Sequence, residues 1–170
     1  MTLGTTLALT AGVAALAVAA TYLLPSQVQV TRTSVIDAAP DGILALAAST
    51  EGYQAFNPYA ATDPDLSITP FGPASGVGAG FAFDGKEGKG TQTVAEVSDT
   101  HVTYHIDLGA MGKPVQTITV RPVDGGTEVT WRMDADMGAN PVFRVFGLFM
   151  DGMMGKTFDR GLANLAHAAA

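Results

Sequence analysis

Few side chains in this sequence have the types and spacing to do chemistry. There are three histidines, His101, His105 and His167, and no cysteine. Disulfides, Cys-ligated zinc and Cys nucleophiles are thereby excluded, and the histidines are too scattered to hold a metal. His105 and Asp107 are two apart in an alternating stretch, so they share one face of a strand. A carboxylate beside an imidazole can orient it as a general base. The phase of the strand puts both on its polar face, however, where a solvated cross-strand pair is the ordinary account. Gly76-x-Gly78-x-Gly80 has the spacing of a phosphate loop, but it leads into a strand and offers no helix N-terminus to an anion. It reads as the start of a hairpin. Tyr104 lies on an apolar face, where its hydroxyl is a polar handle for anything bound there. These residues name no catalytic group and call for no cofactor and no metal.

The apolar side chains say more. The chain has 170 residues, 47% of them hydrophobic, and a formal net charge of −7. That charge argues against a nucleic-acid partner, because phosphate binding needs a basic surface. Twenty glycines and nine prolines imply many turns, as in an antiparallel sheet. The length suits one domain with an appendage, residues 27–170 and 1–26.

Leu7 to Leu24 carries no charge. As a helix it spans about 27 Å, just enough for a hydrocarbon core. Pro25 and Ser26 end it, with Tyr22 where an interfacial aromatic would sit. A cleaved signal peptide with Ala17-Val18-Ala19 as its processing site is the rival reading, but no Lys or Arg precedes the apolar run. A core helix is the third, and it lacks a wet face. The favoured expectation is an uncleaved single-pass membrane anchor. Arg32, on its C-terminal side, leans toward a cytoplasmic domain.

The elements that must position any site follow in order. Val28 to Asp37 reads as a strand, Pro40 to Ser49 as a short helix, and Glu51 to Phe56 as a second helical turn. A stretch heavy in Pro and Asp runs from Tyr59 to Pro73. Gly78 to Asp84 alternates, Asp84-Gly85 is a hairpin signal, and Gly90 to Val97 returns. Val102, Tyr104, Ile106 and Leu108 alternate with polar neighbours. Ile118 and Val120 mark the next strand, and Val129, Trp131, Met133 and Met137 mark the last. Sequential hairpins of this kind make a meander that is dry on one side.

Asn140 is an N-cap and Pro141 a first helical residue for a helix running to about Ala166. It is a rod of roughly 39 Å. Phe143, Gly147, Met150, Met154, Phe158, Gly161 and Leu165 fall on one face. The second half carries Lys156, Asp159 and Arg160 behind that face. The first half carries Val145, Leu148, Phe149 and Gly152, and a helix apolar all round needs cover on every side. The helix should lie across the concave side of the sheet, with bulky, soft side chains on both surfaces. Methionine adapts to varied apolar partners.

Several stretches, taken together, carry a family resemblance. They are Ile36-Asp37-Ala38-Ala39-Pro40 before a short helix, Phe56-Asn57-Pro58-Tyr59 before Asp63-Pro64, and Gly76-Val77-Gly78-Ala79-Gly80-Phe81 opening a hairpin. Gly126-Thr127-Glu128-Val129-Thr130-Trp131 and Phe158-Asp159-Arg160-Gly161-Leu162-Ala163-Asn164-Leu165 complete the set. In this order residues 28–166 resemble the START-like superfamily, in its polyketide cyclase/dehydrase branch. The resemblance implies an α+β helix-grip fold, with an antiparallel sheet wrapped round a long C-terminal helix and an apolar cavity between them. It also implies binding of lipid-like or polycyclic molecules, sometimes with chemistry on them. It brings no family-wide catalytic motif.

The candidate cavity residues are Phe56, Tyr59, Phe81, Phe83, Tyr104, Trp131, Met133, Phe146, Met150, Met154 and Phe158. Among them Trp131, Met133 and Phe158 suit the core as well as a cavity wall, and Phe56 and Tyr59 sit on a loop that could gate the mouth. Three functions are in view, in order of preference: a membrane-tethered module binding a hydrophobic small molecule, a cyclase or dehydratase using the same cavity, and a protein-interaction domain like the chaperone activators of that superfamily.

Overall fold

Alternation of apolar and polar side chains becomes one seven-stranded antiparallel sheet in the computed structural model, which describes residues 12, 16 and 18–170. Its strands are β1 (Gln27–Ile36), β2 (Ser67–Phe71), β3 (Gly80–Gly85), β4 (Gly88–Val97), β5 (His101–Asp107), β6 (Val115–Val123) and β7 (Gly126–Asp136). They lie in the order β1-β7-β6-β5-β4-β3-β2. Two short helices, α1 (Pro40–Ala47) and α2 (Thr50–Phe56), carry the chain from one sheet edge toward the other. The long helix α3 (Pro141–Ala168) closes the chain and lies against β1 and β7. The architecture is α+β, a curved sheet gripping a C-terminal helix.

Strand β7 shows how the dry face arises. Val129, Trp131, Met133 and Ala135 are buried, while Thr130, Arg132 and Asp134 between them reach water. The register aligns such residues across strands. Val30, Met133, Gln116, Tyr104 and Val94 form one continuous row from β1 to β4. A bulge between Val94 and Glu96 interrupts the β4–β5 ladder, and a bulged strand bends. Helix ends follow their caps. Asn140 Oδ1 accepts from Val142 N at 2.9 Å, with Pro141 at the first helical position. Ser49 Oγ accepts from Gly52 N at 2.9 Å at the start of α2.

Two local readings change. The stretch Tyr59 to Pro73 contains β2, hidden in the sequence by Pro70. A proline is tolerated there because β2 is an edge strand and one side of its backbone needs no partner. The β3–β4 turn is formed by Lys86 and Glu87, and Gly85 pairs with Gly88. Gly85 serves close approach: a Cβ there would meet Asp63 Oδ2 at 2.5 Å.

Helix α3 is seated unevenly. In its second half Phe158, Leu162 and Leu165 are buried. Trp131 stacks on Phe158 at 4.9 Å with 8° between the rings, and a Cβ at Gly161 would run into the same indole. At Gly155 a Cβ would strike the Arg32 guanidinium, which reaches over the helix to Asp151 at 2.9 Å and Asp159 at 3.6 Å. In the first half the sheet covers one side only. Leu148 is 58% exposed and Phe149 62%, so the full enclosure expected of this apolar stretch is not provided by the sheet.

The membrane expectation is overturned. Half of Leu7 to Leu24 lies outside the described residues, and among the described residues no helix is long and apolar enough to cross a membrane. A span needs ~20 apolar helical residues. The described helical run is Val18–Thr21, after which the chain turns. Arg144 draws it onto α3, donating to the carbonyls of Tyr22 and Leu24 at 3.0 Å each. Single-pass membrane localisation is therefore corrected, and attachment through an N-terminal span loses its basis.

The seating of α3 predicts opposite outcomes at two of its glycines. Gly161→Val should lower unfolding stability by about 1–3 kcal/mol or more, through overpacking against Trp131. At Gly152 a Cβ would have nothing within 4 Å, so Gly152→Ala should raise stability by about 0.4–1 kcal/mol. Denaturant unfolding of the two variants checks both signs.

Candidate functional site

Because α3 runs along β1 and β7, the concave faces of β3 to β6 are left without helix cover beside its first half. The space there is a cavity of about 260 Å³. Its floor is sheet: Phe81 and Phe83 on β3, Gln92 on β4, Ile106 on β5, Gln116 on β6 and Met133 on β7. Its roof is α3, through Phe146, Met150, Met153 and Met154. Tyr53 of α2 and the following loop, with Asn57, Tyr59, Asp63 and Leu66, close the end toward β2 and β3. The sheet supplies these positions by its period of two, and α3 supplies Met150 and Met154 by its i,i+4 spacing.

Seven of the residues singled out from the sequence line this cavity: Tyr59, Phe81, Phe83, Met133, Phe146, Met150 and Met154. Four do not. Trp131 and Phe56 are fully buried and Phe158 is 1% exposed. They form an aromatic cluster in which Tyr53, Phe56 and Phe158 all pack around the indole. Tyr104 is 1% exposed and donates its hydroxyl to Ala47 O at 2.7 Å. Its polar handle thus ties β5 to α1, and the ring lines a separate void of about 10 Å³. The physical reason is depth. All four lie in core phase, but α1, α2 and the second half of α3 cover them.

Among the lining residues that sequence reading missed are Tyr53, Gln92 and Gln116. A signal existed. Gln92 is in phase with Val94, and Gln116 with Ile118 and Val120. A polar side chain in core phase must find partners or face a cavity. Gln116 Oε1 accepts from Trp131 Nε1 at 3.0 Å. Burial pushes the Tyr53 phenol well above its usual range, with nearby Tyr59 adding to the shift and the Gln92 side chain opposing it. Tyr59 is pushed up to about 12, chiefly by burial and further by Glu87, with Arg160 pulling the other way.

The charged groups that line the cavity are either tied to the backbone or exposed at its edge. Asp63 is buried, and its Oδ2 accepts from Lys86 N at 2.6 Å and its Oδ1 from Asp65 N at 3.2 Å. It ties the loop after α2 to the β3–β4 turn. Glu87, Lys113 and Asp136 line the cavity from exposed positions. His105 is exposed on the outer face. Asp107 is held by Lys113 at 2.7 Å and by Gly109 N, and Lys113 above all keeps its carboxyl below the usual range. His101 sits between Ser98 Oγ at 2.8 Å and Glu96 at 3.5 Å. Among the described residues no group of His, Cys, Asp and Glu is placed to hold a metal ion. The arrangement can strip water from an apolar body and offer it neutral hydrogen-bonding groups.

A family model described as polyketide cyclase / dehydrase and lipid transport matches residues 27–170. No curated protein matches the sequence. Among solved structures, the di-domain ARO/CYC StfQ from the steffimycin biosynthetic pathway is similar with a TM-score of 0.62 at 11% identity, over 84% of this chain and 50% of that one. This chain therefore spans half the length of StfQ. The KanY protein is similar with a TM-score of 0.61 at 20% identity, over 86% of this chain and 100% of that one. The Aha1 dimer from Colwellia psychrerythraea gives 0.57 at 16% identity, over 84% and 96%. At these identities the likeness is one of fold.

The two phenols beside the cavity, Tyr53 buried and Tyr59 half-buried, predict an alkaline signature. A phenol whose folded pKa lies above its unfolded value stabilises the fold fully below about pH 10 and loses that contribution as pH rises through the folded value. Tyrosinate absorbance should therefore show Tyr59 titrating near pH 12 and Tyr53 only as the chain unfolds. Tyr53→Phe should flatten the fall of stability above pH 10. Full ionisation of all four tyrosines by pH 10.5 in the folded chain would contradict the burial.

Proposed function

The chain belongs to the polyketide cyclase / dehydrase and lipid transport family, and from that premise we propose that it is a binding module for a hydrophobic small molecule, polycyclic or lipid-like, held between the sheet and α3. Residues 27–170 are taken as the binding unit. The observation that carries the reading is the 260 Å³ cavity and the character of its roof. Met150 and Met154 are half-buried, one turn apart, and border this space. Flexible thioethers suit ligands of varied outline, and an apolar cleft with a few polar groups is the usual form of a small-molecule site. Binding is favoured over acid–base chemistry because Asp63, the buried carboxylate at the cavity, already accepts from two backbone amides.

Met154→Trp tests this. In an open cavity the indole occupies the ligand's volume. Uptake of the neutral dye Nile red by the full chain should fall at least about tenfold, with the melting temperature nearly unchanged. In a tight core the same change should strain the fold by about 1–3 kcal/mol. A wild-type chain that takes up no dye, with a variant that melts far lower, would sink the reading.

A further inference from the structure

Two polar side chains interrupt the otherwise apolar floor of the cavity. Gln92 is 5% exposed and Gln116 6%. Gln92 stands between Phe81 and Ile106 in the register, and Gln116 between Tyr104 and Met133. The orientation of Gln116 follows from its neighbour. An indole N–H can only donate, so the oxygen of the Gln116 amide must face Trp131, where it accepts at 3.0 Å. Its NH₂ group is turned the other way and is left to donate to whatever fills the cavity it lines. Gln92 lines the same space beside Tyr53, whose phenol keeps its proton because burial disfavours the anion. The inner floor therefore offers the Gln116 NH₂ as a donor, with the neutral amide of Gln92 and phenol of Tyr53 beside it, and no positive charge.

The charges that do line the cavity are distributed differently. Lys113 is exposed and paired with Asp107 at 2.7 Å. Asp63, Glu87 and Asp136 add three carboxylates to the lining, on a chain of net charge −7. A ligand carboxylate would lose its water among apolar side chains, with no cation beside the glutamines to replace it. A carbonyl oxygen would lose less and gain a donor.

Resting on the binding reading above, we propose that the cavity selects an uncharged apolar molecule bearing a hydrogen-bond acceptor, a ketone or similar carbonyl, which it turns toward Gln116 and Gln92. It discriminates against the same molecule carrying a carboxylate. Gln116 and Gln92 are the specificity-determining residues.

Three probes of one ring system separate the terms: anthracene, 2-acetylanthracene and anthracene-2-carboxylate, titrated into the full chain near neutral pH. The ketone should bind a few-fold to about tenfold more tightly than anthracene. The carboxylate should bind at least about a hundredfold more weakly than the ketone. The carbonyl stretch of the ketone should shift to lower frequency on binding. Gln92→Leu and Gln116→Leu should each erode the ketone's advantage over anthracene, measured in the same variant, together with its spectral shift. Gln116→Leu also strands the Trp131 N–H. Should that variant fail to fold, Gln92→Leu carries the test alone. A wild type that binds anthracene as tightly as the ketone, or the carboxylate as tightly as either, overturns the selection and leaves the binding reading standing. Uptake of none of the three overturns the binding reading and this inference with it.

Discussion

The contact between Trp131 and α3 sets the rest of the molecule. Gly161 lets the helix backbone come down onto the indole, and Phe158 stacks on the same ring. Tyr53 and Phe56 close the cluster from α2. A 28-residue rod seated so firmly over β7 at one half cannot also follow the curved sheet toward β4 at the other. The helix therefore stands off from β3 to β6 in its first half, and long, adaptable methionines face the gap. Close packing at one end and open space at the other are two results of one geometry. Filling the space in the usual way of a protein core would require a second layer of large side chains, and the sequence has Met150, Met153 and Met154 there.

Polar groups on the concave side are nearly all committed, and each commitment fixes an element. Tyr104 holds α1 to β5 through Ala47 O. Thr127 Oγ1 donates to Ala38 O at 2.7 Å and holds the start of α1 to β7. Asp63 ties the loop after α2 to the β3–β4 turn. Arg32, in core phase on β1, reaches over Gly155 to Asp151 and Asp159. Those two carboxylates are more than 60% exposed, so the pair orients the helix more than it stabilises the fold. The NH₂ group of Gln116 stands apart from this pattern, because it borders the cavity.

Much of this was legible in the sequence where the pattern is local. The alternation Val129, Trp131, Met133 shows the dry face of β7, and Asn140-Pro141 marks the start of α3 at the right residue. Pattern fails where a tertiary neighbour decides. Pro70 hides β2, since the tolerance of an edge strand is a property of its place in the sheet. Phe56 and Tyr53 sit three apart on one helix, yet Tyr53 borders the cavity and Phe56 is sealed in the aromatic cluster. That difference depends on what covers α2. Tyr104 has the right face but the wrong depth, its hydroxyl taken by α1. The first 24 residues have the composition of a membrane span. Their described C-terminal end makes one helical turn and then binds Arg144, which composition does not reveal.

The strand order carries a consequence for how the chain is made. β1 stands at the sheet edge beside β7, with Gln27 opposite Asp136. The first strand synthesised thus waits for the last before its ladder can form, and α3, which lies against both, emerges later still. Contacts so distant along the chain close slowly. During that interval on the ribosome, β1 offers unpaired backbone and the dry faces of the β2–β6 meander lie open. A nascent chain of this kind stays aggregation-prone until α3 has emerged. Its cellular yield therefore depends on the speed of that last step as well as on the stability of the finished fold.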